Sequence, residues 1–246
     1  MKSYEISGFE VMEYEEAVST NTLAEGIPFK EWRDRTVVLT YRQTGGRGQA
    51  SNRWESEAGK NISMTVVLKP AGLEAGKQFA VSMVVALGVL DFVRSRVGRG
   101  TVKWPNDVYV EDRKVAGILI EHRIAGAYVQ GSLCGIGLNI NQEEFLSDAP
   151  NPVSLYQLTG REEALETALG DLLAAIGGRY ALMGDEAGLR RSFREELYRG
   201  QGVYAWEDAG GVFEAGIEGI DEYGQLVLRD VSGGRRVYGF KEVRYL

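Results

Sequence analysis

The chain has 246 residues, 44% of them hydrophobic and 26% charged, with a formal net charge of -7. That is an ordinary globular balance, long enough for one large domain with a small appendix, and its acidic total argues against general nucleic-acid binding, whose affinity comes from neutralising phosphates. A lone cysteine, Cys134, excludes an intramolecular disulfide and fits a reducing compartment. The N-terminus carries no apolar stretch behind a basic start, and no run of about 20 apolar residues occurs, so the expectation is a cytoplasmic protein without a membrane span.

In chain order, β-branched and aromatic residues predict strands over Thr36 to Gln43 and Ile62 to Pro70. Phe79, Met83, Leu87, Leu90 and Val97 recur at near-helical spacing and predict a buried helix from Gly76 to Val97. A short strand follows at Thr101 to Trp104. Asp107 to Val110 and Lys114 to His122 flank a Glu-Asp-Arg turn, the pattern of a β-hairpin. Ala127 to Asn141 is a glycine-bearing strand. Leu165, Leu169, Leu172, Ile176 and Tyr180 share one face of an amphipathic helix. After about Gly200, short alternating strands between glycine-rich turns predict a small β-barrel. The fold class expected is α+β, a mixed or antiparallel sheet flanked by helices, with residues 1–197 as the main domain and 198–246 as the barrel.

Five stretches are candidates for chemistry. Gly45, Gly46 and Gly48 surround Arg47 after a strand; such glycines let backbone N–H groups approach an anion, and a guanidinium can fork onto phosphate oxygens. A plain surface turn fits the loop equally well, and it matches neither the P-loop nor the dinucleotide fingerprint. Lys103-Trp104-Pro105-Asn106-Asp107 sets a lysine and a carboxylate beside an apolar strand end, where buried charge must be paired or functional. Lys114 near a turn also fits simple edge protection. Gly117, Gly135 and Gly137 suggest close packing or a groove, with a bulge as the alternative. Ser19 or Thr20 fits a helix cap. The single histidine, His122, reads as structural; one histidine and no Cys/His cluster exclude a structural zinc site. Cys134 reads as a small core residue.

Taken in order, Ser19-Thr20-Asn21, Gln43 with Gly46-Arg47-Gly48 and Trp54, the Lys103 to Asp107 block, Lys114 with Gly117-Ile118-Leu119 and Glu121, and Gly135 to Asn139 resemble the biotin protein ligases, over nearly the whole chain. The resemblance implies the biotin ligase catalytic fold, akin to class II aminoacyl-tRNA synthetases, with an SH3-like barrel. It implies joining of biotin to ATP as biotinyl-5′-adenylate, then transfer to a lysine of a biotin carboxyl carrier domain of the acetyl-CoA carboxylase type, with Mg²⁺ accompanying the phosphates. By the same resemblance, Ser19, Thr20, Asn21, Gln43, Gly46, Arg47, Lys114, Gly117 and Gly135 would contact biotin. Arg47, Gly48, Gln49, Trp54, Lys103, Asn106 and Asn139 would contact the nucleotide, with Trp54 stacked on adenine. Asp107 would handle the proton of the incoming amine, and Arg47, Lys103 and Lys114 would supply positive charge to the reacting phosphate.

Two departures from that pattern stand out. Gln49 occupies the place of a second loop arginine, which implies looser retention of the adenylate or compensation by Arg53 or Lys60. Only 18 residues precede Ser19, too few for the DNA-binding domain of some relatives, so no nucleic-acid partner is expected. Both a monomer and a homodimer agree with the sequence. The alternatives are a lipoate or octanoate ligase, a non-catalytic biotin or nucleotide binder, and an RNA-binding barrel resting on Lys241 and Arg244.

Overall fold

Ile62-Ser63-Met64-Thr65-Val66-Val67-Leu68 alternates apolar residues with mostly polar ones, and a strand sends alternate side chains to opposite faces. That alternation organises the molecule. The computed structural model describes residues 1–48, 52–147 and 149–246. Its elements are β1 (Lys2–Ile6), β2 (Phe9–Tyr14), α1 (Thr20–Gly26), β3 (Thr36–Thr40), β4 (Gly46–Arg47), β5 (Arg53–Trp54), β6 (Ile62–Leu68), α2 (Phe79–Val97), β7 (Thr101–Lys103), β8 (Asp107–Val110), β9 (Arg113–Ala125) and β10 (Tyr128–Leu138). They continue with α3 (Leu155–Thr159), α4 (Leu165–Ala181), α5 (Glu186–Glu195), β11 (Tyr204–Asp208), β12 (Gly211–Ile220), β13 (Leu226–Asp230), β14 (Arg235–Tyr238) and β15 (Val243–Tyr245).

Among the described residues, the main sheet runs β1-β2-β3-β6-β10-β9-β8-β7, antiparallel throughout except for the parallel β2–β3 pair. Its long central hairpin pairs Gly137 with Gly117, Gly135 with Leu119 and Leu133 with Glu121, while β6 sets Thr65 opposite Gly135 and Ser63 opposite Gly137. One face of the sheet therefore carries Val37, Leu39, Ile62, Met64, Val66, Ile118, Cys134, Ile136 and Leu138, all within the main apolar core. The other carries Thr40, Ser63, Thr65, Gly117, Glu121, Gly135 and Gly137.

The apolar face is covered by α2 and α4. Helix α2 is buried almost all round, as its nearly unbroken run of Val, Ala, Leu and Met requires. By length and composition alone it could cross a membrane; here most of it is enclosed by protein. It ends at Gly98, whose φ of 71° is the left-handed cap glycine favours. It crosses α4 closely, since a Cβ on Gly88 would sit 2.7 Å from Ile176 Cα. The crossing is tied by a two-pronged Arg179–Asp91 pair at 2.5 and 2.8 Å. The opposite face receives only short α1 and a small cluster of Ala24, Trp32, Val38, Val67 and Leu133, which leaves the centre of that face open.

The C-terminal strands form an SH3-like antiparallel sheet in the order β14-β13-β12-β11-β15. It is joined to the main sheet by continuous apolar packing that includes Phe193, Trp206 and Leu226. Trp104 donates its indole N–H to the Gly224 carbonyl at 2.9 Å, and Arg190 donates to the carbonyls of Asp221 and Glu222 at 2.6 and 2.8 Å. Trp104–Pro105 is a cis peptide.

Candidate active site

The open centre of the polar face is a cavity of about 610 Å³ whose lining includes Ser19, Thr20, Asn21, Gln43, Arg47, Gly48, Trp54, Asp107, Lys114, Gly117, Gly135 and Asn139. Four sequence segments far apart in the chain thus converge on one floor. The floor is low because three glycines lie on it, and protein side chains use the space they leave. A Cβ on Gly137 would collide with the Trp54 indole, one on Gly117 would lie 2.8 Å from it, and one on Gly135 would collide with Asn21 Oδ1. The sequence suggested that Gly117 and Gly135 make room directly for a ligand. In the structure they make room for Trp54 and Asn21. The Trp54 indole therefore covers the Gly117–Gly137 pair, and its Nε1 is buried without a partner.

At one end of the cavity a polar network is anchored by α1. Ser19 is the N-cap residue, yet its side chain makes no capping bond, and the residue lines the cavity. The Thr20 N–H donates to Gln43 Oε1 at 3.0 Å, and the Thr20 and Thr65 hydroxyl oxygens are 2.9 Å apart. Thr65 donates to Asn21 Oδ1 at 2.6 Å, and Asn21 Nδ2 donates to Glu121 at 2.9 Å. Arg47 closes the series, 2.8 Å from Glu25 and 3.7 Å from Glu121. The hydrogen bond from Arg47 holds the Glu25 carboxyl below its ordinary range, whereas burial pushes Glu121 above it. The expected anion-binding guanidinium is thus neutralised by two carboxylates of its own chain. Gly46 is not on the lining; it pairs with Trp54 in the two-stranded β4–β5 ribbon that positions Arg47.

At the other end, Lys114 Nζ is 2.6 Å from Asp107 and 5.6 Å from the centroid of the Trp54 ring. Asn139 donates Nδ2 to the Val153 carbonyl at 3.1 Å and keeps its Oδ1 buried without a partner, facing the same region. The roof is completed by Leu146, Ser147, Ala149, Pro150 and Pro152. Glu55 holds that segment by accepting from the N–H groups of Leu146 and Ser147, each at 2.8 Å.

Lys103 and Asn106 were expected to touch the nucleotide, and neither lines the cavity. Lys103 Nζ points instead into a cage of Tyr109, Tyr245 and Tyr198, at 4.7, 4.9 and 5.6 Å from their ring centroids, and donates to the Tyr109 hydroxyl at 3.3 Å. Burial there lowers its pKa. The cage draws on the C-terminal strand β15, so it could not be inferred from the local motif. Asn106 is buried. Gln49 lies outside the described residues. Of the two cations considered as its substitutes, Arg53 lines the cavity, whereas Lys60 faces Glu143 and Glu162. The reading from sequence missed Tyr109, Asn52, Glu25 and the roof residues Leu146, Ser147, Ala149, Pro150 and Pro152. The Asn-Pro pair followed by Ser154-x-x-Gln157 was the available signal for the roof's end, and it forms a capping box on α3.

The profile of the Biotin/lipoate A/B protein ligase family matches residues 15–139, just over half of the chain. The biotin–[acetyl-CoA-carboxylase] ligase of Paracoccus denitrificans is 35% identical over 237 residues, covering 90% of this chain and 92% of its own. The bifunctional ligase/repressor BirA of Bacillus spizizenii is 27% identical over 243 residues, 95% of this chain and 74% of that one. A biotin protein ligase from Aquifex aeolicus, solved in complex with biotin and ATP, superposes with a TM-score of 0.76 at 23% identity, covering 96% of this chain and 99% of the other, and so shares its fold. With the family profile spanning most of the residues that build the cavity and the Paracoccus relative matching nearly the whole chain, the chain belongs to the biotin/lipoate A/B protein ligase family.

Proposed function

We propose that this protein is an ATP-dependent biotin protein ligase that activates biotin as its adenylate and passes it to a lysine of a biotin carboxyl carrier domain. The observation that carries this reading is the two-ended cavity. One end is a network of neutral hydrogen-bonding groups suited to a cyclic urea. The other sets Lys114 against Asp107 where a carboxylate and a phosphate would meet. The names of the Paracoccus relative and the Aquifex complex support it.

The geometry suggests how the chain's own residues would act. Two anions must approach when the biotin carboxylate oxygen attacks the α-phosphorus and pyrophosphate leaves, and a fixed cation lowers that barrier. Lys114 would take that position by exchanging its Asp107 partner for the substrate anions. The exchange would leave the Asp107 carboxylate free to accept a proton as the acceptor amine attacks the acyl carbon and AMP departs. Arg47 would likewise exchange Glu25 for a phosphate oxygen. Trp54, already seated on the glycine floor, would turn its free ring face to adenine. An accompanying Mg²⁺ would neutralise phosphate charge. Among the described residues no cluster of three His, Cys, Asp or Glu side chains offers it a site, so its ligands would be phosphate oxygens with Asp107 or the unpartnered Asn139 Oδ1 nearby.

Biotin-dependent exchange of labelled pyrophosphate into ATP tests the first half-reaction without a carrier. Exchange with biotin and not with lipoate is the expected result. Exchange with lipoate alone would move the protein to the lipoate branch, which the family description also names. Mass increase of an isolated carrier domain by one biotinyl group tests the second half.

A further inference from the structure

Glu121 is near the candidate site but not on its lining, and the mechanism above gives it no task. Its position is nonetheless specific. It lies on the polar face of β9, paired across the hairpin with Leu133, and accepts from Asn21 Nδ2 at 2.9 Å. With the Arg47 guanidinium 3.7 Å away favouring its ionised form, the Glu121 carboxylate accepts, so Asn21 presents its NH₂ group there and turns Oδ1 the other way. Oδ1 meets the Thr65 hydroxyl at 2.6 Å, which must then donate. One hydroxyl carries one proton, so the 2.9 Å contact between Thr65 and Thr20 is left for Thr20 to donate. With its proton spent on Thr65, Thr20 Oγ1 has none for Gln43 Oε1 at 3.5 Å and offers the cavity that Thr20 lines only lone pairs. Gln43, whose Oε1 is already taken by the Thr20 N–H, has its NH₂ group left to donate. The middle links are buried, with Thr65 0% exposed and Thr20 and Asn21 each 4% exposed, while the Glu121 side chain at one end is 41% exposed.

We infer that Glu121 is a positioning residue that fixes the donor and acceptor polarity of the Thr20–Asn21–Gln43 end of the cavity, and so selects a ligand head bearing N–H donors beside a carbonyl acceptor, as a cyclic urea does. This deepens the proposed function and rests on it. The carboxylate acts at a distance of two side chains, through proton direction alone. A neutral amide of the same shape at position 121 could donate or accept, Asn21 could then flip, and the network would hold two competing polarities. Glu10, whose carboxylate lies 3.6 Å from Arg33 and takes no part in this network, is the control.

The test is calorimetric binding of biotin alone and of ATP alone to the full chain, for wild type, Glu121→Gln, Thr65→Val and Glu10→Gln. Glu121→Gln is expected to raise the biotin Kd by at least about tenfold and to leave the ATP Kd within about twofold. Thr65→Val, which breaks the same series without touching charge, should act in the same direction, and the double variant should cost less than the product of the two single effects. Glu10→Gln should leave biotin binding unchanged. An unchanged biotin Kd for Glu121→Gln, in wild type-like fold and with wild type binding biotin, overturns this inference alone. Equal loss of biotin and ATP binding would mean that Glu121 is an ordinary brace, which also overturns it. Failure of the wild type to bind biotin removes both this inference and the biotin reading beneath it.

Discussion

The two faces of the central sheet are built from the same strands and behave as opposites. On one, Met64, Val66, Ile118 and Ile136 pack without polar interruption against α2, and apolar burial drives the fold. On the other, Ser63, Thr65, Gly117 and Gly137 are just as buried or nearly so, yet they carry hydroxyls or no side chain at all. Ser63 Oγ, Trp54 Nε1 and Asn139 Oδ1 are buried there without partners. Buried polar atoms left unpaired cost stability, and proteins tolerate them where a ligand will pair with them. The contrast teaches that one face was selected for cohesion and the other for what it leaves unsatisfied.

Substitutions can break this comparison in either direction. The largest effect is expected on the polar face. Lys114→Met should lower the kcat/KM for adenylate formation about 10³-fold, or roughly 4 kcal/mol, while thermal stability stays within about 1 kcal/mol of wild type because the lost partner, Asp107, keeps access to solvent. Pyrophosphate exchange and calorimetric melting measure the two quantities. A parallel collapse of stability would mean that the pair serves the fold.

On the apolar face the pattern should invert. Leu87→Ala, in the middle of α2 and fully buried, should cost about 3 kcal/mol in urea unfolding and leave the biotin Kd of the folded protein within about twofold. His122 gives an intermediate effect with a pH signature. It sits at the edge of the apolar face against Ser132 at 2.8 Å, and burial lowers its pKa to about 4. Its pKa is lower folded than unfolded, so the unfolded chain binds the proton first. The stability His122 contributes is complete above about pH 6.5 and is lost as pH falls toward 4. The loss should approach about 3 kcal/mol, and His122→Gln should flatten that part of the profile of urea midpoint against pH. The smallest effect is that of Gly137→Ala: the added methyl would collide with Trp54. The expected result is a change of about 1–2 kcal/mol in nucleotide affinity, with Trp54 fluorescence shifted as the indole is displaced.

Much of this was legible in the chain. The apolar run through Phe79–Val97 read as a buried helix, and the β-branched stretch from Ile62 read as a strand. The lysine, arginine and glycine motifs were recognisable one by one, and Lys114, Asp107, Arg47, Asn21 and Gly117 do converge on one cavity. Lys103, expected to hold phosphate oxygens, lies off the lining in an aromatic cage that the sequence did not show, because Tyr109, Tyr198 and Tyr245 are distant from one another along the chain. The acidic partners of Arg47 were equally invisible: Glu25 on a short helix and Glu121 in a strand resemble solvated surface carboxylates until the sheet brings them together.

The sequence by itself determined which segments become helix or strand, and which residues can carry charge or hydrogen bonds, because side-chain periodicity and chemistry are local properties. Only the tertiary structure decided which charge meets which. Strand pairing across long sequence separations put Gly117 beside Gly137, Trp54 over both, Lys114 against Asp107 and Arg47 between two carboxylates. Electrostatic and hydrogen-bond energies depend on distances of a few ångströms, and those distances are set by the register of the sheet rather than by spacing along the chain.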